Sequence, residues 1–236
     1  MKHLEKDLKE NSDKEKAKIL QGFFKTGKGE YGEGDIFLGI TVPKQREIAK
    51  KHTDRFNSKK IIQLLNTKIH EKRLIALLML IEKYKKTNDE KMKEKIFNFY
   101  LKNSKNVNNW DLVDLSAPNI VGDFLLEKPR KRKILYKLAK SQNLWERRIS
   151  ILATFTFIKN NDFSDSLKIA EILLKDKHDL IHKAVGWMLR ELGKRNQEKE
   201  EVFLKKYYKD MPRTMLRYSI ERFPEKKRKA YLLGDI

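Results

Sequence analysis

The sequence contains no cysteine. That absence removes disulfides, thiolate zinc sites and a cysteine nucleophile together. Proline is scarce, with five in 236 residues, and glycine follows with ten, so few of the residues that break helices or shape hairpins are present. Long apolar runs are missing as well. Stretches such as Leu74 to Ile81 and Ile151 to Ile158 fall far short of the roughly 20 residues a helix needs to cross a bilayer, and no membrane association is expected. The opening Met1-Lys2-His3-Leu4-Glu5-Lys6-Asp7 is too charged for the apolar core of a signal peptide, so the expected location is the cytoplasm. Acidic side chains are in deficit, with 33 Asp plus Glu against 54 Lys plus Arg and a formal net charge of +21. Such an excess predicts attraction to a polyanion and not to a small neutral substrate, and nucleic acid is the first candidate.

A hydrophobic content of 39% is enough for a sizeable core, and residues 1–236 are expected to form a single domain. Leu, Ile, Lys and Glu recur at three- and four-residue spacing almost throughout, with no alternating strand pattern, which predicts an all-α fold. Several segments place a basic residue just before an apolar stripe: Glu71-Lys72-Arg73-Leu74, Glu146-Arg147-Arg148-Ile149, His182-Lys183-Ala184-Val185 and Pro212-Arg213-Thr214-Met215-Leu216-Arg217. Aligning Arg73, Trp110, Arg148, Lys183 and Arg217 gives steps of 37, 38, 35 and 34 residues, close to the roughly 40-residue period of two-helix HEAT-type repeats. The expectation is a superhelical solenoid of stacked antiparallel helix pairs whose repeated basic positions converge on a concave groove. A groove of that kind suits a duplex.

Few motifs carry chemistry. Gly27-Lys28-Gly29-Glu30-Tyr31-Gly32 spells GxGxxG, but it follows a helical pattern and not a strand, and its acidic residues would repel phosphate, so it reads as a connecting loop. His178 and His182 stand four apart without a third ligand, and no metal is expected. GxSxG and SxxK arrangements are absent, which leaves nucleophilic acyl chemistry nothing to stand on. The helix opening at Val42-Pro43-Lys44-Gln45-Arg46 has proline near its first turn, and its amide groups with Lys44 and Arg46 are placed to hold a backbone phosphate.

Asn108-Asn109-Trp110-Asp111-Leu112-Val113-Asp114 is the segment that stands out. On a helix, Trp110 and Asp114 share a face, and such a pair can meet a cationic reacting group. Asp111 falls in the first turn, where a carboxylate stabilises a helix start capped by Asn108 or Asn109. Asp114 lies beyond that turn and is either a chemical group or one half of a structural ion pair. Trp110 and Trp187 are either exposed recognition rings or core residues. Arg148 is either a phosphate clamp or a half-buried partner for a carboxylate.

Four blocks then recur in a fixed order: Phe37-Leu38-Gly39-Ile40 followed by Pro43 and Arg46; Trp110-Asp111-Leu112-Val113-Asp114; Leu144-Trp145-Glu146-Arg147-Arg148; and Lys183-Ala184-Val185-Gly186-Trp187-Met188-Leu189-Arg190-Glu191. Together they resemble the AlkD family of DNA alkylation-repair glycosylases, a HEAT-like-repeat family that removes positively charged alkylated purines such as 3-methyladenine and 7-methylguanine. The resemblance implies Asp114 as the catalytic carboxylate, Trp110 and Trp187 as indoles flanking the sugar, Arg148 and Arg190 as DNA contacts, no cofactor, and a monomer acting on duplex DNA that contains alkylated purines. It also implies a nucleoid-associated protein, and the Lys- and Asn-rich composition is compatible with a low-GC bacterial genome. The chain departs from the family where a tyrosine reaches the DNA, having Phe23 followed by the glycine-rich loop. Two other classes compete: a non-catalytic HEAT-like protein binding bent, branched or damaged DNA, and a helical scaffold for protein partners. The scaffold has no need of so much positive charge.

Overall fold

The computed structural model describes residues 1–236 and is helical nearly throughout. It contains no strand; one isolated parallel bridge joins Ile36 and Ile69. The all-α expectation holds, and successive helices stack as HEAT-like pairs within each of two compact units, Met1–Leu112 and Val113–Ile236.

The first unit holds α1 (Lys2–Glu10), α2 (Lys14–Phe23), α3 (Val42–His52), α4 (Ser58–Leu65), α5 (His70–Lys86), α6 (Glu90–Lys102) and the first turn of α7 (Trp110–Ala117). Its centre is α5, against which α3, α4 and α6 pack. Every residue from Arg73 to Ile81 on α5 is buried, and its middle, Leu74 to Ile81, is apolar on every face, as expected of a core helix surrounded by others. Helix starts follow local chemistry: the side chains of Asp13, Asn57 and Asp89 accept backbone N–H groups at the openings of α2, α4 and α6, satisfying donors that have no intrahelical partner.

A buried carboxylate shapes the segment between α2 and α3. Glu71 accepts the backbone N–H groups of Leu38 (2.9 Å), Gly39 (2.9 Å) and Ile40 (3.3 Å) through Oε1. Gly39 sits at φ 81°, and a Cβ there would collide with the Asp13 carbonyl oxygen. Only glycine meets both demands. The preceding glycine-rich stretch is a loop, as expected, and its own carboxylates occupy its amides: Glu30 accepts from Gly27 at 2.8 Å and Glu33 from Gly29 at 2.9 Å.

The second unit takes the rest of α7, a π-helical turn (Pro118–Gly122), α8 (Asp123–Leu126), α9 (Lys133–Ala139), α10 (Leu144–Lys159), α11 (Ser164–Ile172), α12 (Asp179–Gly193), α13 (Gln197–Tyr207), α14 (Arg213–Ser219) and α15 (Glu225–Leu233). Its centre is α10, which contacts the π turn, α8, α9, α11 and α12. The π turn begins at Pro118, which has no N–H to give the Asp114 carbonyl four residues back. Gly122 lets the turn lie against α10, and Gly186 lets α12 lie against α14, where an added Cβ would stand 2.5 Å from both the Met215 carbonyl oxygen and Tyr218 Cβ.

Candidate active site

In the first unit, α7 opens at Trp110, whose backbone N–H donates to Asn109 Oδ1 at 2.8 Å. The indole is half-buried. One face lies parallel to the Phe24 ring at 5.0 Å and 8°, and Phe23 meets it edge-on at 5.9 Å and 73°. Phe24 is buried, whereas Phe23 is 61% exposed, so the position where the family pattern has tyrosine presents a bare ring beside Trp110. Asp111 is in the first turn, as expected for a helix-start residue, and its Oδ2 also accepts a bond from His70 Nε2 at 2.8 Å.

Behind Trp110 lies a buried polar cluster. His70 Nδ1 is 3.3 Å from Asp35 Oδ2, and that oxygen also accepts from Arg73 Nη2 at 2.5 Å and Asn109 Nδ2 at 3.2 Å. Burial pushes the Asp35 carboxyl up, but the bonds from His70 and Arg73 outweigh it and hold it below its ordinary value. Burial likewise pushes His70 down, and the carboxylates of Asp111 and Asp35 more than reverse that, leaving the imidazole raised.

Lys44 and Arg46 lie on the first turns of α3. Lys44 pairs with Glu47 at 2.7 Å, and Arg46 is exposed.

In the second unit, Arg148 grips Asp114 with both arms of its fork, Nε to Oδ1 at 2.8 Å and Nη2 to Oδ2 at 2.8 Å. Its third nitrogen, Nη1, donates to the Leu180 carbonyl. Arg148 is buried and Asp114 is half-buried. Arg148 thus has a carboxylate partner within its own unit. Bidentate pairing of this kind fixes the plane of the carboxylate.

Trp187 on α12 is half-buried, tilted against Phe155 at 5.7 Å, with Nε1–H donating to Glu191 Oε1 at 3.1 Å. Arg190, one residue before Glu191, bonds to Glu221. His178 caps α12 by accepting the Leu180 N–H at 3.1 Å, and His182 bonds to the Asp176 carbonyl, so both histidines are engaged with backbone.

The sequence singled out Trp110, Asp114, Arg148 and Trp187 as candidates but gave no notice of His70, Asp35 and Glu71 as a buried polar group. The available signal was slight: a histidine and a glutamate open α5, and an aspartate closes the glycine-rich loop.

The second unit thus offers a carboxylate locked in one orientation and the half-buried Trp187 indole, and the first unit offers the half-buried Trp110 indole. The sequence profile of a family described as DNA alkylation repair enzyme matches residues 4–223. A solved structure described as a predicted DNA alkylation repair enzyme from Enterococcus faecalis superposes with a TM-score of 0.70 at 16% identity, covering 91% of this chain and 98% of that one. At that identity the likeness speaks for the fold. No curated protein sequence gives a match.

Proposed function

Because the chain belongs to the DNA alkylation repair enzyme family, we propose that it is a monofunctional DNA glycosylase of the AlkD type, hydrolysing the N-glycosidic bond of N3- or N7-alkylated purines in duplex DNA. The observation that carries this reading is the Asp114 carboxylate held by two 2.8 Å bonds from Arg148. An alkylated purine is already cationic and leaves as a neutral base, so cleavage needs no general acid. Positive charge instead builds on the deoxyribose, and a fixed carboxylate stabilises it more in the transition state than in the ground state.

Arg148 supplies the preorganisation. It holds Asp114 in one orientation, from which the carboxylate aligns the attacking water. Trp110 and Trp187 flank the sugar, each adding cation–π attraction of about 0.5–2 kcal/mol and excluding water that would weaken the Asp114 field. Lys44, Arg46 and Arg190 hold backbone phosphates, and Arg190 exchanges Glu221 for the DNA when it does so. The whole chain acts as one monomeric domain, without metal or organic cofactor, and undamaged bases are spared because a neutral purine is a poor leaving group.

The test is single-turnover release of free base from a duplex containing one 7-methylguanine. Wild type should release base well above the spontaneous rate, and Asp114→Asn should be slower by about 100-fold or more, the usual loss when one preorganised electrostatic contact is removed. A second reading rests on the same pair, since a carboxylate saturated by a buried arginine is also a plain structural ion pair. On that reading the chain is a non-catalytic DNA-binding protein, and both proteins bind the duplex while neither releases base.

A further inference from the structure

We propose that His70, held as an imidazolium between Asp35 and Asp111, is the positioning residue for Trp110. The argument begins with donors and acceptors. Both ring nitrogens face carboxylate oxygens, Nδ1 toward Asp35 at 3.3 Å and Nε2 toward Asp111 at 2.8 Å. A carboxylate only accepts, and the charged ring is the form with an N–H for each of them; Arg73 Nη2 also stands 3.4 Å from Nδ1, but it already donates to Asp35 at 2.5 Å. Charge counting agrees. Asp35 and Asp111 bring two negative charges, Arg73 returns one at 2.5 Å from Asp35, and protonated His70 balances the second. Without that proton the buried cluster keeps an unmatched anion, a costly state for side chains as enclosed as His70 at 2% and Asp35 at 5% exposure.

The cluster reaches Trp110 from three directions. Asp111 follows it in the chain and takes the Nε2 bond. Asn109 precedes it, is fully buried, donates to Asp35 at 3.2 Å and accepts the Trp110 N–H at 2.8 Å. Phe24 lies parallel to the indole at 5.0 Å and touches the His70 ring at 5.0 Å, while Phe37 stacks on the imidazole at 4.5 Å and on Phe24 at 4.9 Å. The glycine-rich loop thereby gains a purpose, since it delivers Asp35. Asp111 Oδ1 and Arg73 Nε have no hydrogen-bond partner, so neither the carboxylate nor the guanidinium is locked redundantly. Loss of the His70 proton releases either Asp111 or Asp35, and the first turn of α7 relaxes.

The effect on base release rests on the glycosylase reading, but the positioning does not. The experiment follows the Trp110 indole N–H signal, assigned with Trp110→Phe, and the His70 ring signals by NMR of the full chain across pH. In parallel, base release from the 7-methylguanine duplex is compared between wild type and His70→Gln at each pH, a ratio that cancels any titration of the substrate. The indole should shift with the same midpoint as His70, above about pH 6.5. In His70→Gln the indole should be displaced and insensitive to pH, and release should fall about tenfold below the midpoint and converge on wild type above it. If His70→Gln does not fold, Asp35→Asn replaces it and should draw the shared midpoint downward. An indole signal unmoved both by His70 titration and by substitution overturns the proposal. Wild type that releases no base overturns the glycosylase reading instead, and leaves the indole titration to judge His70.

Discussion

Glu200 opens α13 in full enclosure, with Oε1 lacking a hydrogen-bond partner, and burial, reinforced by the charge of neighbouring Glu201, pushes its carboxyl up to about 8. A carboxyl whose folded pKa is raised binds its proton more tightly folded than unfolded, so stability falls as pH rises from its ordinary value of 4.5 toward 8. Glu200→Gln should therefore be more stable than wild type near neutral pH by roughly 1–3 kcal/mol, with the difference vanishing at about pH 4. Thermal unfolding of both proteins at the two pH values checks this, and equal melting temperatures at neutral pH would refute it. Nothing in Gln197-Glu198-Lys199-Glu200-Glu201 marks Glu200 among its neighbours; only packing beside Gly193 singles it out. His70 was illegible for a similar reason, because its partners lie 35 and 41 residues away in the chain. Trp110 and Asp114 stood out as candidates because their spacing is local and tryptophan is scarce, with three in the chain. The Asp114–Arg148 pair was half legible: the sequence offers an arginine beside an apolar stripe, but which anion it meets depends on how α7 and α10 pack.

Helices were the most legible element, since a 3.6-residue period survives in a chain with so few breakers. Less visible were the points where helices touch. In α12, Gly186 looks like a weakness within Ala184-Val185-Gly186-Trp187, yet it is the contact with α14. Gly186→Ala must push Met215 and Tyr218 aside and should cost about 1–3 kcal/mol, an overpacking penalty. Gly22, near the end of α2, has nothing within 4 Å of an added Cβ, and Gly22→Ala should instead stabilise by about 0.5–1 kcal/mol. Urea denaturation of the two variants separates a packing glycine from a merely permissive one, and shifts of the same sign would contradict the distinction. The π turn after α7 had no signal in the sequence analysis; that the chain stays helical past Pro118 depends on its contacts with α10, including the 2.7 Å bond from Thr156 Oγ1 to the Pro118 carbonyl.

At the scale of the molecule, charge is the dominant property. With a net charge of +21, binding to undamaged duplex should weaken steeply with salt, by about 10³-fold or more between roughly 50 and 200 mM if six or more phosphates are engaged. Fluorescence anisotropy on undamaged and 7-methylguanine duplexes should give the same salt slope for both, because the phosphate contacts carry no base information. A shallow slope would mean that the excess charge serves another purpose. The Glu71 carboxylate has a consequence for the order of folding. The amides of Leu38, Gly39 and Ile40 await an acceptor more than 30 residues later in the chain, and the Leu38 carbonyl in turn holds the N–H of Asp13, the cap of α2. The turn before α3 therefore has no acceptor for these amides until α5 is in place, and native-state hydrogen exchange should show the amino-terminal helices opening before α5.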